Sequence, residues 1–303
     1  MLSIKRKTLG DVVWDGVIYV LLTLLSLLMV IPFIYVIVAS FARESLIQST
    51  SLDLFWKVFM PIGDHKNAFT LAAYEEVFDM SGMGLQVLRS LGVSVCVTVI
   101  GTIVNLFCTA TMAYGLSRSN LIGKKVILNI VLFTMVFSGG MIPSFLLVQG
   151  LGMYDSYAAL ILPGAISAYN MLIVRNFFMD LPAGLEEAAS IDGCTDIGIF
   201  AKIALPLSLP CLATFGLFYA VGHWNNYFGA LLYLDDSAKY PFQLVLRNIV
   251  NQTAEELDTL DELPPSDTLK MAVIVIGTVP ILIVYPFLQK HFAAGVMVGA
   301  IKG

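Results

Sequence analysis

Six long apolar stretches restrict what this chain can fold into. Each holds about 20 to 30 residues, and a helix needs roughly 20 mostly apolar residues to cross the hydrocarbon core of a bilayer. Apolar residues make up 58% of the 303 residues and charged residues 13%, about half the charged fraction of a typical soluble domain. The sequence therefore predicts an all-α membrane protein with six transmembrane helices. The predicted spans are 16–41, 87–116, 125–148, 156–178, 205–234 and 270–289.

Several of these spans contain proline or glycine, which would disfavour a helix in water. Inside a membrane, neighbouring helices can satisfy the backbone groups that these residues leave free. We therefore expect kinks within continuous helices. The residues concerned include Pro32, Gly139, Gly140, Pro163, Pro280 and Pro286.

Basic residues in the short connections predict the orientation of the helices. They occur at 5–7 and in the 117–124 loop, whereas the 149–155 loop has none. Because short loops rich in Lys and Arg stay in the cytoplasm, both termini are predicted to be cytoplasmic. The first span exceeds the roughly 7–15 apolar residues of a cleaved signal peptide, so we expect it to be retained. The predicted parts are a cytoplasmic tail (1–15), a membrane domain (16–290) with a cytoplasmic loop (181–204) and an outer loop (235–269), and a second cytoplasmic tail (291–303).

Motifs for several kinds of chemistry are missing from the sequence. It has no GxxxxGK[ST] phosphate loop, no HExxH metal motif and no GxSxG nucleophile motif, so no catalytic residue or metal ligand is predicted. The four cysteines form no CxxC pair, and no basic stripe suits nucleic acid. The chain is predicted not to be an enzyme. If it performs driven work, the energy must come from a partner or an ion gradient.

Polar residues inside the spans are candidates for a substrate path, because polar groups in a membrane are costly. In FYAVGHWNNYFGA (218–230), Tyr219, His223 and Asn226 recur at helical spacing and are predicted to share one face. A continuous helix from Leu205 would place His223 roughly 27 Å along its axis, in the outer half of the membrane. Aromatic and amide groups suit a sugar, and hydrogen bonding between helices is the alternative interpretation. The other candidates are Asn105, Asn170, Trp224 and Asn225.

The outer loop contains one stretch with helical periodicity, PFQLVLRNIV (241–250). Apolar residues recur along it at spacings that suit one side of a helix. We expect either a short helix against the membrane or a partner, or a plain loop that packs on its own protein.

A polar insert, EEAASIDGCTDIGIFAKIALP (186–206), interrupts the apolar sequence before the fifth span. Pro182 suits the first turn of a helix, and Gly193 suits the left-handed residue that ends one. Thr195 or Asp196 can cap a second helix. The insert is therefore predicted to form two short helices at the cytoplasmic surface. By composition alone it would be a solvated connector.

The spacing within the insert indicates a more specific role. It follows EAA-x3-G-x9-I-x-LP at all seven specified positions, and so resembles the EAA motif of the membrane subunits of bacterial ABC importers. The matching residues are Glu187, Ala188, Ala189, Gly193, Ile203, Leu205 and Pro206.

The resemblance extends over nearly the whole chain, to permeases of the carbohydrate-uptake class and among them the maltose-type second permease. The stretch FSGGMIP (137–143) is most similar to a subgroup associated with oligosaccharides and polysaccharide fragments. The stretches that carry the resemblance are MVIPFIYVIVASF (29–41), FSGGMIPSFLLVQGLGMYDSYAALILP (137–163), WNNYF (224–228), PFQLVLRNIV (241–250) and VGAIKG (298–303).

The resemblance implies a set of partners. In that family two permeases pair in the bacterial cell membrane, two ATPase subunits bind below them, and an extracytoplasmic binding protein delivers the sugar. ATP and Mg would be used by the ATPases, with no cofactor bound by this chain. The insert would be the coupling helix that docks on an ATPase, with Glu187 as the charged contact and Glu186 as a possible second one. The outer loop would contact the binding protein, and a tail would insert between the ATPases. That tail comprises Gly299, Ala300, Ile301, Lys302 and Gly303.

Three alternatives remain open. An ABC importer for a non-sugar solute would share the EAA motif. A secondary transporter or channel that works alone would need ionisable groups within its spans, and the sequence offers few. A membrane scaffold or enzyme subunit would need a catalytic cluster. The favoured function is import of a sugar or oligosaccharide by alternating access.

Overall fold

Helices make up almost all of the described structure, a computed structural model that covers residues 9–47, 58, 69–80, 82–252 and 266–300. Within these residues the only extended pairing is an isolated bridge between Ala42 and Phe69, so the predicted all-α class is confirmed. The helices are α1 (Leu9–Ser40), α2 (Glu44–Ile47), α3 (Ala72–Phe78), α4 (Gly82–Ser117), α5 (Lys124–Val136), α6 (Met141–Gly150), α7 (Ala158–Ile161), α8 (Ala168–Met179), α9 (Ala183–Ile191), α10 (Asp196–Leu207), α11 (Leu209–Trp224), α12 (Tyr227–Tyr233), α13 (Phe242–Asn251) and α14 (Asp267–Ala300), with a 3-10 turn at Ser237–Lys239.

Among the described residues, three helices are long and apolar enough to cross a bilayer. They are Gly10–Ser40 of α1, Gly82–Ser117 (α4) and Asp267–Val284 of α14. Helices α10 and α11 form a fourth candidate if this bent pair counts as one span. The predicted spans 125–148 and 156–178 are each divided between two helices, and 205–234 is divided among the end of α10, α11 and α12. The count of six therefore stays a prediction.

The divided spans break at residues that favour non-helical backbone. Gly140, between α5 and α6, has φ +84° and ψ 175°, which glycine adopts readily because it lacks a Cβ atom. Pro163, after α7, has no N–H to continue a helix. The sequence predicts kinks at these positions, but helices end there. Pro32, Pro280 and Pro286 do lie inside helices, as expected.

The chain divides into two compact units, of which one comprises the described residues within 1–84 and 249–276. Its apolar cluster includes Val38, Ala39 and Ile47. Glu44 stabilises the first turn of α14, because its carboxylate accepts hydrogen bonds from the N–H groups of Asp267 and Thr268, each at 3.1 Å. Burial alone would raise the pKa of Glu44, but these hydrogen bonds outweigh it and the pKa is lowered.

The other unit comprises 85–248 and the described residues from 277 onward. Its larger apolar cluster joins α4, α8 and α11, with Met171, Val174 and Phe215 among its members. Two glycines allow α4 and α11 to approach closely, as small residues do in membrane helix pairs. The imidazole of His223 packs on Gly101, and the side chain of Leu106 packs on Gly216.

We predict that Gly101→Val destabilises the protein. A Cβ atom at Gly101 would lie 2.5 Å from Nε2 of His223, so the ring or the helix must shift. Overpacking of this kind costs about 1–3 kcal/mol. The control is Gly92→Val on the same helix, where an added Cβ atom would meet no side chain or neighbouring helix within 4 Å. The melting temperatures of the two variants in detergent provide the measurement, and equal values would contradict the prediction.

The amphipathic stretch at 241–250 forms helix α13, and its apolar side packs on its own protein. Phe242 and Leu244 are buried, and Leu244 joins an apolar cluster with Val97. The N–H of Phe242 donates to Oγ of Ser94 at 2.7 Å, and its ring packs on Gly277. Of the two expectations for this stretch, the helix is right, and its packing surface is internal.

Candidate coupling site

The polar insert begins with α9, and its two ends explain why the helix is short. Pro182 precedes the first turn, and Gly193 follows the last with φ +79°. The N–H of Cys194 donates to the carbonyl of Ala189 at 2.9 Å, and the N–H of Gly193 to that of Ser190 at 3.1 Å. This pair of bonds is a Schellman motif, which satisfies the last carbonyls of a helix and needs a left-handed residue. The predicted end at Gly193 is confirmed.

The second helix, α10, begins at the predicted cap. The hydroxyl of Thr195 accepts the N–H of Gly198 at 3.3 Å. Residues 200–204 form a π-helical turn, and α10 meets α11 at Ser208 with a bend of 80°. Pro206 and Pro210 flank this bend, and neither can donate a backbone hydrogen bond. A straight helix from Leu205 to His223 is therefore wrong, and so is the axial position calculated from it.

The two adjacent glutamates of α9 have different surroundings. Glu186 forms an ion pair with Arg118, which follows the last residue of α4. Both side chains are partly buried, with 22% of Glu186 and 29% of Arg118 exposed. Glu187 is exposed and has no hydrogen bond or ion pair within the described residues. Consecutive helix positions point about 100° apart, so one carboxylate contacts the protein while the other stays available.

Arg118 itself is fixed from several sides. Its guanidinium lies over the ring of Tyr114, 4.4 Å from the centroid. It donates to Oγ of Ser117 at 2.9 Å and to the carbonyl of Phe178 at 3.4 Å. Arg118 therefore links the end of α4, the end of α8 and α9. In the sequence it stands out only as a loop cation, because its partner Glu186 lies 68 positions away.

Two further cations donate hydrogen bonds to carbonyl groups at the end of α4. Nε of Arg175 donates to the carbonyl of Leu116 at 2.9 Å, and Nζ of Lys124 donates to the carbonyls of Ser117 and Arg118 at 3.3 and 2.9 Å. Positive charge at a helix C-terminus is favourable because the last carbonyls carry partial negative charge. These hydrogen bonds stabilise the end of α4, which Arg118 directly follows.

The insert exposes large apolar side chains beside the free carboxylate. Ile191 at the end of α9 is 86% exposed and Ile197 in α10 is 78% exposed, while Leu185 is 46% exposed. Among the motif residues, Ala188 and Pro206 are exposed, and Ala189, Ile203 and Leu205 are partly buried. An apolar surface next to an unpaired charge is the composition expected of a docking site.

A cleft of about 440 Å³ opens between the end of α4 and α10. Its aromatic wall contains Tyr114 and Phe200, whose ring centroids are 4.8 Å apart. The remaining lining residues are Thr111, Gly115, Arg118, Asn120, Leu121, Asp196 and Ile197. Within the described residues, no group of three or more His, Cys, Asp or Glu side chains could hold a metal ion.

Residues 106–298 match the sequence profile of a family described as the binding-protein-dependent transport system inner membrane component. This chain belongs to that family. It is therefore a multi-pass transport permease of the membrane, in agreement with its apolar helices.

Close relatives cover the permease almost end to end. It is 50% identical over 295 residues to the polygalacturonan/rhamnogalacturonan transport system permease protein YtcP of Bacillus subtilis (strain 168), which spans 96% of this chain and 98% of that protein. It is 28% identical to the arabinooligosaccharides transport system permease protein AraQ of Halalkalibacterium halodurans, over 99% and 100% of the two chains. A chain in the crystal structure of a bacterial ABC transporter involved in the import of the acidic polysaccharide alginate matches with a TM-score of 0.82 and 31% identity, over 95% and 99% of the chains.

Among the predicted substrate-path residues of the permease, Tyr219 is engaged between helices. Its hydroxyl is within 2.7 Å of that of Thr109 on α4 and accepts the N–H of Ser167 at 3.3 Å. Tyr219 is buried in the larger apolar cluster. This arrangement matches the alternative interpretation, in which the polar groups join helices.

The asparagines of the set also have local partners. The Asn226 side chain accepts the N–H of Gly229 at 3.0 Å and caps α12. The shared face predicted for Asn226 with Tyr219 and His223 is therefore wrong, since α11 ends at Trp224. The side chain of Asn225 donates to the carbonyl of Val221 at 2.9 Å. The backbone N–H of Asn170 donates to the Ser167 hydroxyl at 3.4 Å.

Three members of the set have buried polar atoms with no hydrogen-bond partner among the described residues. Nδ2 of Asn105 donates to the carbonyl of Gly164 at 3.2 Å, but its Oδ1 is buried and unbonded. Nε2 of His223 and Nε1 of Trp224 are buried and unbonded as well. Such groups are costly when left unsatisfied, and they are the members of the set that remain open to a ligand or water. A substrate role for any of the seven residues stays a prediction.

The C-terminal tail lies mostly beyond what the structure describes. Helix α14 includes Gly299 and ends at Ala300, whereas Ile301, Lys302 and Gly303 lie outside the described residues. The predicted insertion of the tail between ATPases stays a prediction.

A second ion-pair cluster joins two connections of the permease, the one after α6 and the one after α12. Asp155, a non-glycine residue with φ +54°, accepts the N–H groups of Asp235 and Asp236 at 3.0 and 3.1 Å. Its carboxylate also pairs with Lys239. The bond from Lys239, followed by those from the two N–H groups, lowers the pKa of Asp155 to about 2. The pairing of Asp155 with Lys239 could not be predicted from sequence spacing, because the two residues lie 84 positions apart.

We predict that Asp155→Asn lowers the melting temperature of the permease, and that this loss depends on pH. Because the folded pKa of Asp155 is depressed, its contribution is fully present above about pH 4 and is lost as pH falls toward about 2. Asparagine tolerates the left-handed backbone, so the change removes mainly the charge. The difference in melting temperature should be constant between pH 7 and pH 5 and should shrink by pH 3. A difference that does not change with pH would refute the ion-pair origin.

Proposed function

We propose that this chain is the permease subunit of an ATP-driven, binding-protein-dependent ABC importer for a sugar or oligosaccharide. The observation that carries the proposal is the geometry of the insert. The EAA spacing coincides with two short helices, α9 and α10, which expose Glu187, Ile191 and Ile197. The names of the relatives supply the solute class, because they concern polygalacturonan, arabinooligosaccharides and alginate.

In this proposal the chain pairs with a second permease and docks on two ATPase subunits, while an extracytoplasmic binding protein delivers the solute. ATP and Mg are bound and used by the ATPases. Closure of the ATPase dimer pushes on α9 and α10, and the membrane helices rock so that one central site opens to each side in turn. A rigid insert suits this role, since a flexible one would absorb the movement. The Schellman end of α9 and the Thr195 cap of α10 supply rigidity.

The orientation belongs to the same proposal. Docking on ATPases requires the insert to face the cytoplasm, and the basic 117–124 loop lies beside it through the Arg118–Glu186 pair. Both termini are then cytoplasmic, and the 235–269 loop faces the binding protein.

The test reconstitutes both permeases, the ATPases and the binding protein in liposomes. ATP hydrolysis is measured with oligosaccharides of galacturonan, arabinan and alginate, and with amino acids and peptides as controls. We expect at least one glycan to stimulate hydrolysis and to accumulate inside the vesicles. Stimulation by an amino acid or peptide alone would replace the sugar with another solute. Accumulation by the permease without ATPases would favour a transporter that works alone.

A further inference from the structure

We propose that Arg118 and Glu186 form an internal joint that transmits movement of α9 to the membrane helix α4. This proposal rests on the proposed function, and it assigns different roles to the two adjacent glutamates. Glu187 serves the contact with the ATPase, and Glu186 serves the connection inside the permease. Arg118 and Glu186 are thus positioning residues for coupling.

The burial pattern of α9 shows why it needs such a joint. None of its residues from Gly184 to Ile191 is buried, and its two largest apolar side chains, Leu185 and Ile191, are exposed. Apolar packing is what usually holds a helix to its protein. Because α9 has little apolar packing, its main side-chain attachment among the described residues is the ion pair between Glu186 and Arg118.

The other end of the joint is well anchored. Arg118 follows α4 directly, lies on the Tyr114 ring and donates to the carbonyl of Phe178. A partly buried pair of this kind interacts more strongly than a fully exposed one, because less water screens it. A displacement of Glu186 is therefore passed to the end of α4 and to the end of α8.

The surroundings also leave room for movement. The cleft of about 440 Å³ lies against Arg118, between the end of α4 and α10. A change in the angle between α4 and α10 would use this space and would move the packed rings of Tyr114 and Phe200 relative to each other. The joint then determines how far α9 moves relative to α4.

The experiment uses the complete reconstituted complex with Arg118→Gln, Glu186→Gln and the exchange R118E/E186R. We expect each single variant to co-purify with the ATPases as the wild type does. Galacturonan oligosaccharide imported per ATP hydrolysed should fall about five-fold or more, within the range for mutations along a coupling network. The exchange should restore part of the loss, because it forms the ion pair again but loses the contacts of Arg118 with the Tyr114 ring and the Phe178 carbonyl. Arg89→Gln is the matched control, because Arg89 lies at the other end of the same helix α4, is exposed and has no hydrogen bond or ion pair within the described residues.

Hydrogen exchange in the same complexes provides a reading that does not depend on the solute. The backbone amides of α9 should exchange faster in both single variants, while those of α4 keep their wild-type rates. Wild-type import ratios and exchange rates in the single variants would overturn the joint. So would loss of the ATPases from Glu186→Gln to the extent seen with Glu187→Gln, because Glu186 would then belong to the interface. If the wild type imports none of the tested glycans, the proposed solute fails, while the exchange data still test the joint.

Discussion

Glu187→Lys is expected to abolish solute uptake while the permease remains in the membrane. Glu187 is exposed on α9 and has no hydrogen bond or ion pair among the described residues, so its replacement removes none of the contacts described for this chain. At the proposed interface it leaves a partner cation facing another cation. Removing one member of an interfacial charge pair costs about 2–5 kcal/mol, or roughly 30-fold or more in affinity. Uptake and co-purification of the ATPases should therefore fall together.

The control for this variant is Glu76→Lys, the same change at an exposed glutamate of α3. It should leave uptake and complex assembly unaltered. Glu187→Gln should have an intermediate effect, because it removes the attraction without adding repulsion. Normal uptake by Glu187→Lys would show that α9 does not dock through this carboxylate.

Gly193→Pro is expected to abolish uptake by a different route. Gly193 has φ +79°, whereas proline is confined to a φ near −65°. The change also removes the N–H that donates to the carbonyl of Ser190. The Schellman end therefore cannot form, and α9 loses its fixed direction.

Gly193→Asn is the matched variant, because asparagine tolerates the left-handed conformation. It should keep most of the uptake, whereas Gly193→Pro should lose it at equal amounts of protein in the membrane. If both variants transport normally, a rigid end of α9 is not needed and its role in coupling is refuted. If both fail equally, the requirement at position 193 is for glycine itself and not for its backbone angle.

The insert was predictable from sequence because its signals are local. Pro182, Gly193 and Thr195 act on the backbone within a few positions of themselves, and the structure has helix boundaries at these residues. The same holds for α13, whose apolar periodicity is a property of ten consecutive residues. The divided spans were missed because apolar composition does not distinguish one long helix from two short ones. A glycine or proline inside an apolar stretch is compatible with a kink or with a helix end, and near Gly140 and Pro163 the helices end.

The all-α class, the need for a membrane and the limits of the insert follow from composition and short-range backbone preferences, which are local properties of the chain. Which of the two glutamates is paired depends on how the helices pack. Glu186 and Glu187 are the same residue type one position apart, and nothing local separates them. The end of α4 brings Arg118 to one of them across 68 positions. Side-chain pairing over such a distance depends on helix packing, which no short-range pattern encodes.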